Sequence, residues 1–379
     1  MTIELYLILI IALLLFNYLY FLAKINSGIK CIKSEKLFEL PDEFVSVIVP
    51  FRNESENILQ SLKSITSQNY PPDKFEIIFV NDFSTDDSLD KLVKANNHEN
   101  VRILSLKVRK YNRAFKKQAV NYGIDCSKGE IIVTTDADCK HNKNWLRNLL
   151  SNYDDNTALV SGPVSFIPNK NLFSKVLSLE FAGIILAGAG LIGIGKPIIC
   201  NGANLTFRKK VFNEINGYAN QIHLSSGEDE LLMQQIAAIT KYNIKFCWND
   251  ESVVLTYPPK NLIDFFQQRS RWASKGLFYP DKGLIIKLVL IFLFYVSIIS
   301  QAILAVFFNK IFLLSLLICF ILKFCFEYII VSKGIGFLFD KRLIKYFVVT
   351  GIFQTLYLPL ASLGGLMGKF KWKDRKLNR

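Results

Sequence analysis

Apolar residues are spread unevenly along this chain. Residues 5–23 form an almost unbroken apolar run, interrupted at Asn17, and three further runs close the chain at 288–308, 311–331 and 347–367. Each reaches the about 20 residues that a helix needs to cross a bilayer. Between them, over residues 41–280, short β-branched runs alternate with amphipathic stretches. "FVSVIVPFRNE" reads as a buried strand ended by Pro50. The next segment has Ile58, Leu62 and Ile65 at helical intervals. "FEIIFVND" is a second strand, and "STDDSLDKLVKAN" a helix expected to be capped by Ser84 or Thr85. "VRILSL" is a third strand, "KKQAVNYGIDCS" a helix, and "EIIVTTDADC" a fourth strand ending in two carboxylates.

Strands alternating with helices predict an α/β domain built on a parallel sheet covered on both faces. Ligands of such sheets lie beyond the carboxyl ends of the strands. Asn53, Asp82, Asp136 and Asp138 fall there.

Residues 181–200 are also nearly apolar. If they crossed a bilayer, Asp138 and Asp229 would face opposite sides. Their glycines and alanines suit close backbone packing, so a buried or interfacial position is expected. The preceding segment has Leu172, Phe173, Val176, Leu177 and Phe181 at helical spacing and predicts a membrane-surface helix.

Composition then sets the compartment. The net charge is +14, and much of it lies next to apolar runs. Lys24, Lys30, Lys33 and Lys36 follow the first run. By the positive-inside rule they put the N-terminus outside and the following domain in the cytoplasm, at the inner (plasma) membrane. A cleaved signal peptide fits poorly, because no basic segment precedes the run and no small-residue cleavage site follows it. The seven cysteines form no CxxC pair and there are three histidines, so neither a zinc site nor a disulfide framework is expected. The basic charge is membrane-surface chemistry and calls for no nucleic-acid partner.

Three stretches carry candidate chemistry. In "TTDADC", Asp136 and Asp138 would share one side if the strand continued, and two carboxylates there suit Mg²⁺ or Mn²⁺. Such an ion neutralises a diphosphate leaving group; the bland reading is a solvated turn. In "SSGEDELLMQQI", Glu228 and Asp229 precede a helical apolar run. They serve either as N-terminal charges on the helix dipole or as a general base. In "QQRSRW", Gln268, Arg271 and Trp272 sit upstream of an apolar run. They are either interface anchors or groups that hold an anion. Arg269 is expected to snorkel to the membrane surface.

Together, "VSVIVPFRNE", "VNDFSTDDS", "KKQAVNYG", "TTDADC", "GANLTFRKKVFNEINGY", "GED" and "QRSRW" occur in the order seen in family 2 glycosyltransferases. The chain resembles their membrane-bound QxxRW branch, which includes synthases of chitin oligomers, poly-N-acetylglucosamine, hyaluronan and cellulose, and ceramide glucosyltransferases. The likeness covers residues 44–272. It implies a GT-A fold and an inverting transfer of a hexosyl group from a UDP-sugar. The acceptor would be a polysaccharide or a lipid, in cell-envelope glycan or glycolipid synthesis.

By the same resemblance, Pro50 and Glu54 belong to the first nucleotide loop, Asp82 contacts uracil, and Lys116 lies near the nucleotide. Asp138 and then Asp136 bind the metal. The loop from Gly202 faces acceptor or donor sugar. Asp229, with Glu228 beside it, is the base. Arg271 and Gln268 meet the diphosphate, and Trp272 lies by the acceptor sugar. The usual "DDGS" reads "NDFS", with Asn81 and Phe83 departing, and Phe115 replaces a glycine before Lys116. The alternative is a membrane-anchored nucleotide-sugar-binding subunit without turnover in a glycan-assembly complex; either reading leaves room for glycan-assembly partners.

The expected organisation is a transmembrane helix at 1–23, a cytoplasmic GT-A domain with interfacial helices at 41–280, a transmembrane region at 284–368 and a basic tail at 369–379. Three closing spans would put the tail outside, yet it carries six Lys and Arg, which favours the inside. Either the rule fails here or one run is re-entrant, with Pro359, Gly364 and Gly365 pointing to the last run. Lys323 and Glu327, four residues apart, are expected to pair.

Overall fold

The computed structural model describes residues 3–33, 38–372 and 375–378. Lys36, Lys373 and Asp374 lie outside these residues, as do all side chains from Lys369 onward. In chain order the elements begin with α1 (Ile3–Lys33), β1 (Val45–Phe51), α2 (Ile58–Thr66), β2 (Phe75–Asn81), α3 (Ser88–Ala95), β3 (Val101–Ser105), α4 (Phe115–Asp125), β4 (Ile131–Thr134) and α5 (Trp145–Leu150). They continue with β5 (Thr157–Ser161), β6 (Val164–Phe166), α6 (Leu172–Gly193), β7 (Leu205–Arg208), α7 (Lys209–Glu214), α8 (Glu230–Ile239), β8 (Asn243–Phe246), β9 (Val254–Thr256) and α9 (Leu262–Ala273). The chain closes with α10 (Lys282–Phe307), α11 (Ile311–Gly334), α12 (Phe347–Met367), β10 (Lys369–Trp372) and β11 (Arg375–Asn378).

The four predicted strands form, in parallel, the half β3-β2-β1-β4 of a seven-stranded sheet. β1 and β2 are buried along their whole length, which is why they read as continuous apolar runs. The sheet is not wholly parallel, however. β7 enters antiparallel between β4 and β5, and β8 closes the far edge parallel to β5. This mostly parallel sheet, with helices on both faces, is the GT-A-type α/β fold.

Two local expectations change. α3 begins at Ser88 with Asp87 at its N-cap, because Ser84 and Thr85 are engaged elsewhere. Ser84 Oγ accepts from the Asn53 amide at 3.2 Å, and the Thr85 amide donates to Asn53 Oδ1 at 2.8 Å. β4 stops at Thr134, so Asp136 and Asp138 lie in the following turn and not on a shared strand face.

Among the described residues, five helices are long and apolar enough to cross a membrane: α1, α6, α10, α11 and the segment ending in α12. α1 is 31 residues long and outruns the apolar stretch, and its last turns lie on α6. A side chain at Gly28 would strike the Gly190 backbone, and one at Gly193 the Gly28 carbonyl. α6 joins the predicted surface helix and the glycine-rich run in one element, and most of it is buried. It lies between the sheet domain and the apolar helices, in contact with β6, β8, α1, α11 and α12.

α1, α10 and α11 form a bundle around a polar cluster. Lys323 donates to Glu327 at 2.8 Å, the expected pair, and the Tyr18 and Tyr295 hydroxyls meet at 3.0 Å beside Glu327. α12 is a continuous helix through Pro359.

Candidate active site

The candidate catalytic, nucleotide and metal residues reach one cavity of about 220 Å³ at the carboxyl ends of β1, β2 and β4, whereas Asn53 and Gly202 are not in its wall. Pro50 and Glu54 come from the end of β1 and its loop, Asp82 from the residue after β2, and Lys116 from the first turn of α4. Asp136 and Asp138 come from the turn after β4, and Glu228 and Asp229 from the start of α8. Gln268, Arg271 and Trp272 enter from α9.

Charge is ordered along this cavity. Lys116 Nζ bridges Asp136 at 2.6 Å and Glu228 at 3.0 Å. Burial opposes the Lys116 charge, but Asp136 and Glu228 outweigh it and hold the ammonium well above its ordinary range. Burial likewise opposes ionisation of Glu228, yet Lys116, with Lys117 and Lys275 behind it, keeps that carboxyl below its ordinary range.

Asp229 caps α8 by accepting the Glu230 amide at 2.8 Å, and its other oxygen accepts the Gly202 amide at 3.0 Å. The preceding Gly227 has φ +93°, open to glycine and strained for other residues. The carboxylate is thus held from two sides, facing the cavity.

For a divalent cation, no group of three or more His, Cys, Asp and Glu side chains among the described residues would hold a metal alone. Asp136 and Asp138 in the cavity wall fit a hard ion of another kind, one that takes one or two carboxylates and fills its shell with phosphate oxygens and water.

Arg269 corrects the sequence reading. It is 5% exposed and does not reach for the membrane surface. Its guanidinium forks onto the buried carboxylate of Glu180 in α6, which also accepts from the Tyr357 hydroxyl of α12. It donates to Gln268 Oε1 at 2.6 Å and lies 4.3 Å over the Trp272 ring. Trp272 in turn packs on Phe181. The helix carrying Gln268, Arg271 and Trp272 is therefore fixed from behind by a buried ion pair.

Other residues escaped the sequence reading. Lys275, buried, binds Glu230 at 2.9 Å and approaches Asp229 at 3.7 Å. Burial lowers its basicity, but Glu230 and Asp229 raise it further, to a net increase. It follows Arg271 by four residues, so extending the helical period one turn would have found it. Lys117 donates to the carbonyls of Gln221, Leu224 and Ser226 at 2.9–3.1 Å, and burial pushes its amine down to about 8. Arg109 stacks between the two departing aromatics, 4.3 Å over Phe83 and 5.1 Å over Phe115. Its guanidinium lies 3.9 Å from Asp82.

The chain is similar to known glycosyl transferases in sequence. The family "Glycosyl transferase family 2" matches residues 46–215, and "Glycosyl transferase family group 2" matches residues 131–361. The glycosyltransferase AglE of Haloferax volcanii is 31% identical over 189 residues, 49% of this chain and 59% of that protein. The poly-beta-1,6-N-acetyl-D-glucosamine synthase of Staphylococcus epidermidis is 25% identical over 249 residues, 62% of this chain and 55% of that one. The chain thus spans less than two thirds of the length of these relatives. In fold it is similar to the mannosyltransferase PcManGT of Pyrobaculum calidifontis, solved with GDP-Man and Mn²⁺. That likeness has a TM-score of 0.58 over 95% of this chain and 99% of that one, at 17% identity. With a family match running through the sheet, the cavity and the apolar helices, the chain belongs to the family 2 glycosyl transferases.

Proposed function

We propose that this chain is a membrane-bound inverting glycosyltransferase that moves a sugar from a UDP-sugar to a polysaccharide or lipid acceptor. The supporting observation is the meeting of Asp138, Asp229 and Arg271, from three distant stretches, in one cavity. The acceptor hydroxyl attacks the anomeric carbon, the bond from that carbon to the diphosphate breaks, and the hydroxyl proton passes to Asp229. Arg271 takes charge that develops on the leaving diphosphate. Asp138 and Asp136 would hold Mg²⁺ or Mn²⁺, which would neutralise charge there. Pro50, Glu54, Asp82 and Lys116 seat the nucleotide, Gln268 orients the diphosphate, and Trp272 lines the acceptor path.

In this reading the GT-A domain occupies the cytoplasmic side of the plasma membrane, and α1, α10 and α11 cross. α12 does not cross. Its start packs on α11, with Phe347 5.8 Å from Phe324, and just before it Tyr346 lies under Lys175 of α6. Its middle lies on α9, with Phe353 and Tyr357 against Phe265. Its end lies on the same helix, at Ser270 and Ala273. A helix held at both ends by the catalytic domain's side returns its tail to that side. The six basic tail residues then obey the positive-inside rule.

The test is incubation of membranes holding the full chain with labelled UDP-sugars and GDP-mannose, with Mn²⁺ or with EDTA, then separation of lipid-soluble from polymeric product. Transfer from a UDP-sugar that EDTA abolishes and Mn²⁺ restores is expected. Nucleotide binding without transfer from any donor would leave the non-catalytic subunit as the correct reading.

A further inference from the structure

A second cavity, of about 740 Å³, lies between the C-terminal half of α1, the loop after α6, α8 and the first turns of α10. It is separate from the candidate active site. Its floor is apolar and aromatic, with Tyr20, Phe21 and Ile198 among its walls. Three lysines line it, Lys24, Lys196 and Lys287. Lys24 and Lys287 both lie 5.4 Å from the centre of the same Tyr20 ring. Among the described residues, none of the three ammonium groups forms an ion pair with a carboxylate. Asp281, the acidic side chain in the wall, is turned to the α10 N-terminus, where it accepts the Gly283 amide at 2.8 Å.

We infer that this cavity is a binding site for an anionic phospholipid of the surrounding bilayer. The charge balance, three cations to one engaged carboxylate, calls for an anion. The N-terminal end of a 26-residue helix adds its positive dipole. The depth is that of a lipid headgroup: Lys24 directly follows the apolar run of α1, and Lys287 lies in the second turn of the apolar helix α10. Basic pockets between membrane helices on this side bind lipid headgroup phosphates. The aromatic and aliphatic floor takes the first methylenes of the acyl chains. A soluble phosphate would leave that floor without a partner.

The site also touches the catalytic machinery. Gln234 of α8 lines the cavity and donates to the Ile198 carbonyl at 3.0 Å. Ile199 and Cys200, one step further, line the active-site cavity, and Asp229 caps the same α8.

Spin-labelled phosphatidylglycerol and phosphatidylcholine, each in phosphatidylcholine vesicles holding the full chain, test this without requiring turnover. Wild type should immobilise phosphatidylglycerol in preference to phosphatidylcholine. The combined Lys24→Gln, Lys196→Gln and Lys287→Gln variant should lose that preference by roughly tenfold or more. A control with the same charge change at exposed Lys30, Lys341 and Lys345 should keep it. Lys196→Gln alone, in an exposed loop, gives the same direction of change should the triple variant fail to fold. Unchanged preference in both the triple and the single variant, or equal loss in the control, overturns the inference. Displacement by millimolar glycerol 3-phosphate would also overturn it, since the site would then serve a soluble phosphate.

Discussion

The guanidinium of Arg109 lies 4.3 Å over the ring of Phe83, and Phe83 holds a left-handed backbone at φ +53°. That conformation costs a non-glycine residue about 1–2 kcal/mol, and a cation–π contact returns about 0.5–2 kcal/mol. The phenylalanine that departs from the family's glycine is therefore tolerated because it seats Arg109 beside Asp82. Phe83→Gly should leave the unfolding temperature nearly unchanged while weakening UDP binding several-fold. Calorimetric titration with UDP checks this, and unaltered affinity would detach Arg109 from the donor site.

Asp229→Asn keeps the shape of the side chain and one of the two amide contacts, since its Nδ2 cannot accept the other, and it removes the basic oxygen. A positioned base contributes on the order of 10²–10⁴-fold in rate. Transfer should fall by that much with UDP affinity retained; near-normal turnover would move the role to Glu228.

Arg271→Lys keeps the charge and loses the planar fork. It should lower kcat more than it raises donor KM, as expected for a contact formed mainly in the transition state. Trp272→Ala should raise acceptor KM with UDP affinity intact. Equal turnover per inserted molecule in both variants would reduce the pair to interface anchors.

Arg269→Met strands the Glu180 carboxylate in a site where its side chain is fully buried. Breaking one partner of a buried pair costs about 3–5 kcal/mol. Thermal unfolding in detergent should show a large loss, with Glu180→Gln in the same chain restoring part of it. A snorkelling arginine would show neither effect.

An epitope tag after Arg379 should be cleaved by protease only in vesicles that also expose a tag in the catalytic domain. Opposite protection of the two tags would make α12 a fourth span.

Strand ends and their carboxylates were legible because buried β-branched runs and polar stops are local patterns. So were the amphipathic α2 and the Lys323–Glu327 pair. Arg269 was misread because its partner Glu180 lies 89 residues upstream, beyond any local pattern. The Ser84 and Thr85 caps were misplaced for the same reason, since Asn53 claims them from another loop. α6 was ambiguous, because glycine, alanine and isoleucine in one helix describe a lipid-facing span and a tightly packed one equally well. The burial of α6 and its backbone contacts with α1 at Gly28 separate them.

That contact changes what the N-terminal helix is. Gly28 and Ile25 of α1 meet Gly190 of α6 backbone to backbone, and α6 in turn carries Glu180, which fixes the helix of Arg271. The last turns of α1 are thus less a tether than the outermost layer of the catalytic core. A form shortened to begin at the first strand would leave a bare glycine-lined groove on α6. It would not be a soluble version of the same protein.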